Sequence, residues 1–179
     1  MLEQSGSPLR RGRYCAGMAV ILRRILGIGK LPADMRAELE PEGILHLAEF
    51  VPVTFRFSGS VPGMAAKGNI RSYVGALVLT SQRVLGTLST VPKVAGRAID
   101  KRWDEPDEGP VKADLSASGL AIEVDVSQVD PGFSGRLSMH YKTAIPEAVL
   151  TTVPRRSLLL TVPREWVLRA VGVPAPRPA

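Results

Sequence analysis

The chain is short of the residues from which most catalytic and metal centres are built. Its 179 residues include two histidines, His46 and His140, and one cysteine, Cys15, spaced too widely for a zinc pattern. A single cysteine excludes an intramolecular disulfide and fits a reducing compartment. Aromatic residues make up only 5%, so Val, Leu, Ile and Ala must fill the core. No apolar run approaches the roughly 18 residues of a membrane-spanning helix. Helices of crossover length between successive strands are missing too, which excludes a doubly wound parallel sheet.

An excess of positive charge is missing from the middle of the chain. The net charge is +6, but it is carried by the ends. Residues 1–30 hold six Lys/Arg against one Glu, and residues 151–179 hold five Arg against one Glu. The body, residues 31–150, has twelve basic and fifteen acidic side chains. A basic groove on the folded body is therefore not implied, and few aromatics are available for base stacking, so nucleic acid is a poor partner. The partner question moves to the termini.

Stretches that look like chemical motifs fail on inspection. Gly27-Ile28-Gly29-Lys30 has Arg24 where a phosphate loop needs its first Gly, and Leu31 where it needs Ser or Thr. Gly132-Phe133-Ser134-Gly135 has Arg136 in place of the second Gly of a nucleophile elbow. The acidic run from Asp104 to Pro110 lacks the alternating oxygen ligands and closing Glu of a calcium loop. No catalytic, cofactor-binding or metal-ligating residue is nominated, no cofactor is expected, and the reading is of a non-enzyme.

What is present is β structure. Tyr73–Leu88 reads as two apolar strands meeting at a polar tip of Thr80, Ser81, Gln82 and Arg83, apolar enough to lie at the centre of a sheet. Before it, apolar and polar residues alternate from Val53 to Ser58, with Pro52 marking a break or an edge bulge. Gly59–Asn69 reads as a mobile loop. After it, Arg97–Trp103 is a strand, Val111–Ser116 and Leu120–Val126 form a hairpin, Leu137, Met139 and Tyr141 point inward from another strand, and Leu158–Val162 is a last buried one. Short helices are expected over Pro32–Leu39, at Ile145–Val149 and after Pro163. Eight or nine short strands with helices near the N- and C-termini give a mainly β protein, an antiparallel closed or nearly closed barrel. Phe55, Phe57, Leu77, Leu79, Leu120, Ile122, Val124, Leu137, Met139, Tyr141, Leu160 and Trp166 are its expected core.

The domain plan is a disordered basic leader over 1–17, a short amphipathic helix over 18–30, one β-barrel domain over 31–172 and a Pro-rich tail over 173–179. In the helix, Ile21, Leu22 and Ile25 share an arc of about 160° with Met18, Leu26 and Ile28, opposite Arg23 and Arg24. Two roles fit that face: contact with an anionic membrane surface or a protein partner, or docking on the barrel. The interrupting arginines and the lack of a cleavage site argue against a signal peptide. Met18 stands where an alternative start would place it.

The segment Gly75–Leu85, with Thr80 and Arg83, resembles the G-x-hydrophobic-x-hydrophobic-T-x-x-R-hydrophobic motif of GRAM and bacterial PH-like domains. In that family it is a central hairpin, preceded by a strand that opens like Gly43-Ile44-Leu45. A capping C-terminal helix would correspond to Arg164–Val171 with Trp166. The order of elements matches over about 31–142, and at residue level only in the central motif. Leu158–Val162 is additional, and the first hairpin lacks the basic cluster of phosphoinositide-binding members. The resemblance implies a cytoplasmic bacterial binding or adaptor domain, free or peripheral to the inner face of a membrane. For Thr80 and Arg83 two roles stand: recognition at the hairpin tip, or satisfaction of turn backbone groups and pairing with a neighbouring carboxylate. A small-molecule-binding barrel or enzyme using the interior is the alternative function. A cavity of several hundred cubic ångströms would distinguish it from a filled adaptor core. Oligomeric state is not legible.

Overall fold

A computed structural model describes residues 27–91 and 94–173. Within them the chain forms eight strands: β1 (Ile44–Val61), β2 (Met64–Thr80), β3 (Arg83–Val91), β4 (Val94–Arg102), β5 (Val111–Ser116), β6 (Gly119–Asp125), β7 (Ser134–Lys142) and β8 (Ser157–Leu160). Three short α-helices accompany them: α1 (Ala33–Leu39), α2 (Glu147–Thr152) and α3 (Arg164–Val171). The strands make one antiparallel sheet in the order β4-β3-β2-β1-β7-β6-β5-β8.

The sheet curls into a half-barrel and does not close, which corrects the expectation of a closed barrel. Each edge strand is met at one point by a side chain from outside the sheet. On β8 the Leu159 N–H donates to Asp107 Oδ1 at 2.6 Å, and on β4 the Ala98 carbonyl accepts from Trp166 Nε1 at 2.6 Å.

The curl has a specific cause. Tyr141 reaches from β7 across β1 and β2, and its hydroxyl donates to the Thr87 carbonyl of β3 at 3.2 Å. That path lies over two glycines. A Cβ on Gly86 would stand 2.9 Å from the Tyr141 ring and 2.7 Å from Ile99, and a Cβ on Gly75 would stand 1.8 Å from the Thr87 carbonyl oxygen. The β2–β3 ladder opens at the same place, where the Ala76 N–H turns to Thr87 Oγ1 at 3.0 Å.

Strand parity then sorts the side chains. The concave face collects Val53, Phe55, Phe57, Leu77, Leu79, Leu120, Ile122, Val124, Leu137, Met139, Tyr141 and Leu160 in one core. Trp166 packs against this core but is only partly buried. On the convex face Ala76, Val78 and Leu85 are covered by Leu31, Met35 and Leu39 at α1. Burial on both faces is why Gly75–Leu79 is continuously apolar, whereas Phe55, Arg56, Phe57 and Ser58 alternate between buried and exposed.

Two local readings change. Gly59–Asn69 is not a loop: β1 and β2 continue to a two-residue turn at Pro62-Gly63, where Gly63 takes φ 83°. The other glycines of this stretch serve a register shift, at which Gly68 N–H donates to Ser58 Oγ at 2.9 Å. Pro52 does not end the strand, and the bulge of the alternative reading falls just before it, as a register shift against β2 between Ala48 and Val51. The β1–β7 ladder begins only at Val53, so the missing Pro52 N–H costs no bond to β7. The helix expected over 18–30 lies outside the described residues up to 26, and 27–29 form a turn. The leader and most of the Pro-rich tail also lie outside them.

Gly86→Ala tests the cause of the curl. An unconstrained strand glycine gains roughly 0.5–1 kcal/mol on becoming Ala. Here overpacking against Tyr141 and Ile99 should instead cost about 1–3 kcal/mol. A urea midpoint equal to or above that of the native protein would show that the ring does not set the curvature.

Candidate functional site

The hairpin tip is engaged within the protein. Thr80 is fully buried. Its hydroxyl donates to Glu42 Oε2 at 2.8 Å and accepts from the Gln82 and Arg83 amides at 3.1 and 2.9 Å. Arg83 Nε donates to the same Glu42 oxygen at 3.1 Å, and Nη2 pairs with Glu42 Oε1. Its Nη1 reaches Asp100 at 3.3 Å and Glu38 at 3.4 Å, and Arg97 pairs with both of these acids as well. Trp103 Nε1 donates to the Thr80 carbonyl at 3.0 Å. The Thr-x-x-Arg spacing thus grips one carboxylate on the 3₁₀ turn Glu40–Glu42 and fastens α1 to the sheet. The other nominated residues, Ile21, Leu22, Arg23, Arg24 and Ile25, lie outside the described residues.

The two histidines are placed apart. His140 is on the convex side of β7, where burial and then Lys142 lower its pKa. His46 is paired with Leu79 in the β1–β2 ladder. Its Nε2 is buried with no hydrogen-bond partner among the described residues, and burial lowers its pKa. Ser134 is six residues from His140 along β7, about 20 Å of strand, so the two form no nucleophile–base pair. No group of three His, Cys, Asp or Glu placed to hold a metal occurs among the described residues.

A cleft is built where α3 crosses the concave face. Pro163 precedes the helix, and Gly172, at φ 82°, ends it. Val167, Leu168 and Val171 enter the core and hold the helix against the sheet. Near its start, Arg164 pairs with Asp130 at 3.2 Å and lies over the Phe133 ring at 5.6 Å. The face left over, Trp166, Arg169 and Ala170, forms one wall of a cavity of about 360 Å³. Phe55, Tyr73, Leu88, Ala98 and Met139 form the other, each from a different strand of five: β1, β2, β3, β4 and β7. Phe55 and Tyr73 meet edge to face, with ring centroids 5.1 Å apart. The bond from Trp166 Nε1 to Ala98 fixes the indole between α3 and β4.

Another depression, of about 560 Å³, lies on the convex face between Arg56, Ser58, Glu123, Asp125, Arg136 and Ser138. It is larger, but its rim carries charges of both signs and its floor is exposed strand. The smaller cleft has the apolar and aromatic walls of a small-molecule site, and its volume falls within the roughly 300–1,000 Å³ such sites occupy.

Sequence reasoning placed Phe55, Met139 and Trp166 in the core and did not see a cleft between them. One signal was available: Arg71 stands on the inward-facing parity of β2, in register with Phe55. Comparison with protein-family models, with curated proteins and with solved structures finds no match. Class is therefore defined by the fold and site alone: an open antiparallel half-barrel with an aromatic-walled cleft under its last helix.

Two predictions follow from this geometry. Thr80→Val keeps the shape but removes the hydroxyl that serves two amides and Glu42. It should lower unfolding free energy by about 1–3 kcal/mol in chemical denaturation. A smaller loss than half a kilocalorie would mean that the tip is not fastened through Thr80. The second concerns pH. Burial holds the His46 pKa below its ordinary value in the folded protein, whereas the unfolded chain takes up a proton near the ordinary pKa of about 6.5. Stability should therefore be complete above that value and fall as pH drops below it. His140 contributes in the same sense, so the measure is the difference between native protein and His46→Leu in urea midpoints at pH 7.5 and 5.5. The variant should lose less on acidification; equal losses would count against the buried imidazole.

Proposed function

We propose that the protein is a non-enzymatic binding module that holds one small apolar ligand in the cleft beneath α3. The observation that carries this reading is the cavity of about 360 Å³, walled by Phe55, Tyr73, Leu88, Met139, Trp166 and Ala170. The cleft's walls offer side chains suited to burying apolar surface, and none of them places a nucleophile beside a base. Kinship with GRAM and bacterial PH-like domains belongs to the same proposal and rests on the Gly75–Leu85 hairpin motif.

Trp166 supplies the assay, since it stands at the cleft while the only other tryptophan, Trp103, is 6% exposed and bonded to Thr80. Titration with 1-decanol, an uncharged probe, should change the indole emission in a saturable way. Ala170→Leu, which pushes a larger side chain into the cleft from a half-buried helix position, should weaken that binding at least tenfold with little change in the urea midpoint. Equal affinity in the two proteins would remove the cleft as the site.

A further inference from the structure

We infer that the ligand of the cleft is an anionic amphiphile, with its apolar chain between the aromatic walls and its charged head held by Arg169 and Arg71. This rests on the cleft being the binding site, and it adds the chemical class of what enters. The charge of the cleft is one-sided. Its lining contains two charged residues, Arg97 and Arg169, and both are cations. Arg97 is already neutralised by Glu38 and Asp100. Arg169 is exposed and has no carboxylate partner among the described residues.

A second cation, Arg71, is not part of the cleft's lining but stands next to two residues that are. Arg71 is opposite Phe55 in the β1–β2 ladder and two residues from Tyr73 on the same face. Its guanidinium lies at the C-terminal end of α3: a Cβ on Gly172 would fall 1.7 Å from Nη1. Gly172 in turn donates its N–H to the Arg169 carbonyl, so the Arg71 guanidinium lies one helical turn along α3 from the Arg169 backbone. Like Arg169, Arg71 has no carboxylate partner among the described residues. The negative end of α3 orients it without cancelling a full charge.

Arg169 at the cleft and Arg71 next to its wall, with no carboxylate partner among the described residues, define a complementary ligand. It has an anionic oxygen head, which arginine recognises with paired N–H donors. Its body is apolar and small, since the cleft lies near the lower end of the volume range of small-molecule sites. A carboxylate and a phosphate monoester both supply such a head. One short chain fits the space; the bulk of a two-chain lipid does not.

The test uses ligands of one chain length and different heads, read by Trp166 emission on the full chain at pH 8. Decanoate should bind at least tenfold more tightly than 1-decanol, and raising salt should weaken decanoate only. Decyl phosphate against decanoate tells which head is preferred, and acetate and inorganic phosphate, lacking the chain, should not compete. Arg169→Gln should cost decanoate about tenfold and leave decanol unchanged, and Arg169→Lys should recover part of the loss. Arg169 is exposed, so its variants keep the test open even where Arg71→Gln disturbs the end of α3. Equal binding of decanol and decanoate, or competition by the bare anions at equal strength, would overturn the anionic amphiphile while leaving an apolar site in place. Binding of neither chain would overturn both readings. A second copy of the chain seated in the cleft would show as self-association that decanoate weakens only at high protein concentration, and that result too would overturn the proposal.

Discussion

The contact of Tyr141 with Thr87 is the constraint on which the rest of the structure depends. A hydroxyl on β7 can reach a carbonyl on β3 only if the two intervening strands fold back toward it. Gly75 and Gly86 let the ring approach the backbone, and Thr87 replaces the ladder bond that the bend removes. The phenol is fully buried, and that burial raises its pKa far above the ordinary value, so it stays a donor at any physiological pH. The curvature is thus fixed by one polar contact in an apolar setting, where an unmade hydrogen bond would be costly.

Given the curl, the two faces of the sheet acquire different duties. The concave side buries the main core, and the convex side of β2 and β3 receives α1. Glu42 joins them, because the carboxylate that ends the helical segment is shared by Thr80 and Arg83 at the tip of the central hairpin. A half-barrel fastened in this way leaves its two edges unpaired, and each is met by one side chain: Asp107 at β8 and Trp166 at β4.

The cleft is a consequence of this incomplete closure. α3 covers the open side but is only eight residues long, and its three buried aliphatics anchor one face of it. Phe55 and Tyr73 brace each other beneath the opposite face, and the space between remains. The same helix brings Arg169 to the opening and ends against Arg71. Apolar walls and, among the described residues, a cation without a carboxylate partner therefore meet where this helix faces the sheet.

Much of the local structure was legible in the chain. Alternation from Val111 to Val126 sets the β5–β6 hairpin and its register, because a shift of one residue would expose Leu115, Leu120 and Ile122 together. Pro163 and Gly172 bound the last helix. The apolar run Gly75–Leu79 pointed to burial on at least one face and a place at the centre of the sheet, but not to the cover that α1 supplies on the other face. The Thr80-x-x-Arg83 spacing left its partner open, because Glu42 lies thirty-eight residues before Thr80 in sequence. Gly59, Gly63 and Gly68 were indistinguishable from a loop, since glycine marks a turn, a bulge and flexibility alike. Closure of the sheet, the neighbours of β8 and the cleft were decided only by tertiary structure. Strand parity says which side chains face inward, but the space they leave depends on how far the sheet bends, and here that is set by a ring from β7 lying over two glycines on strands that its own sequence neighbourhood never touches.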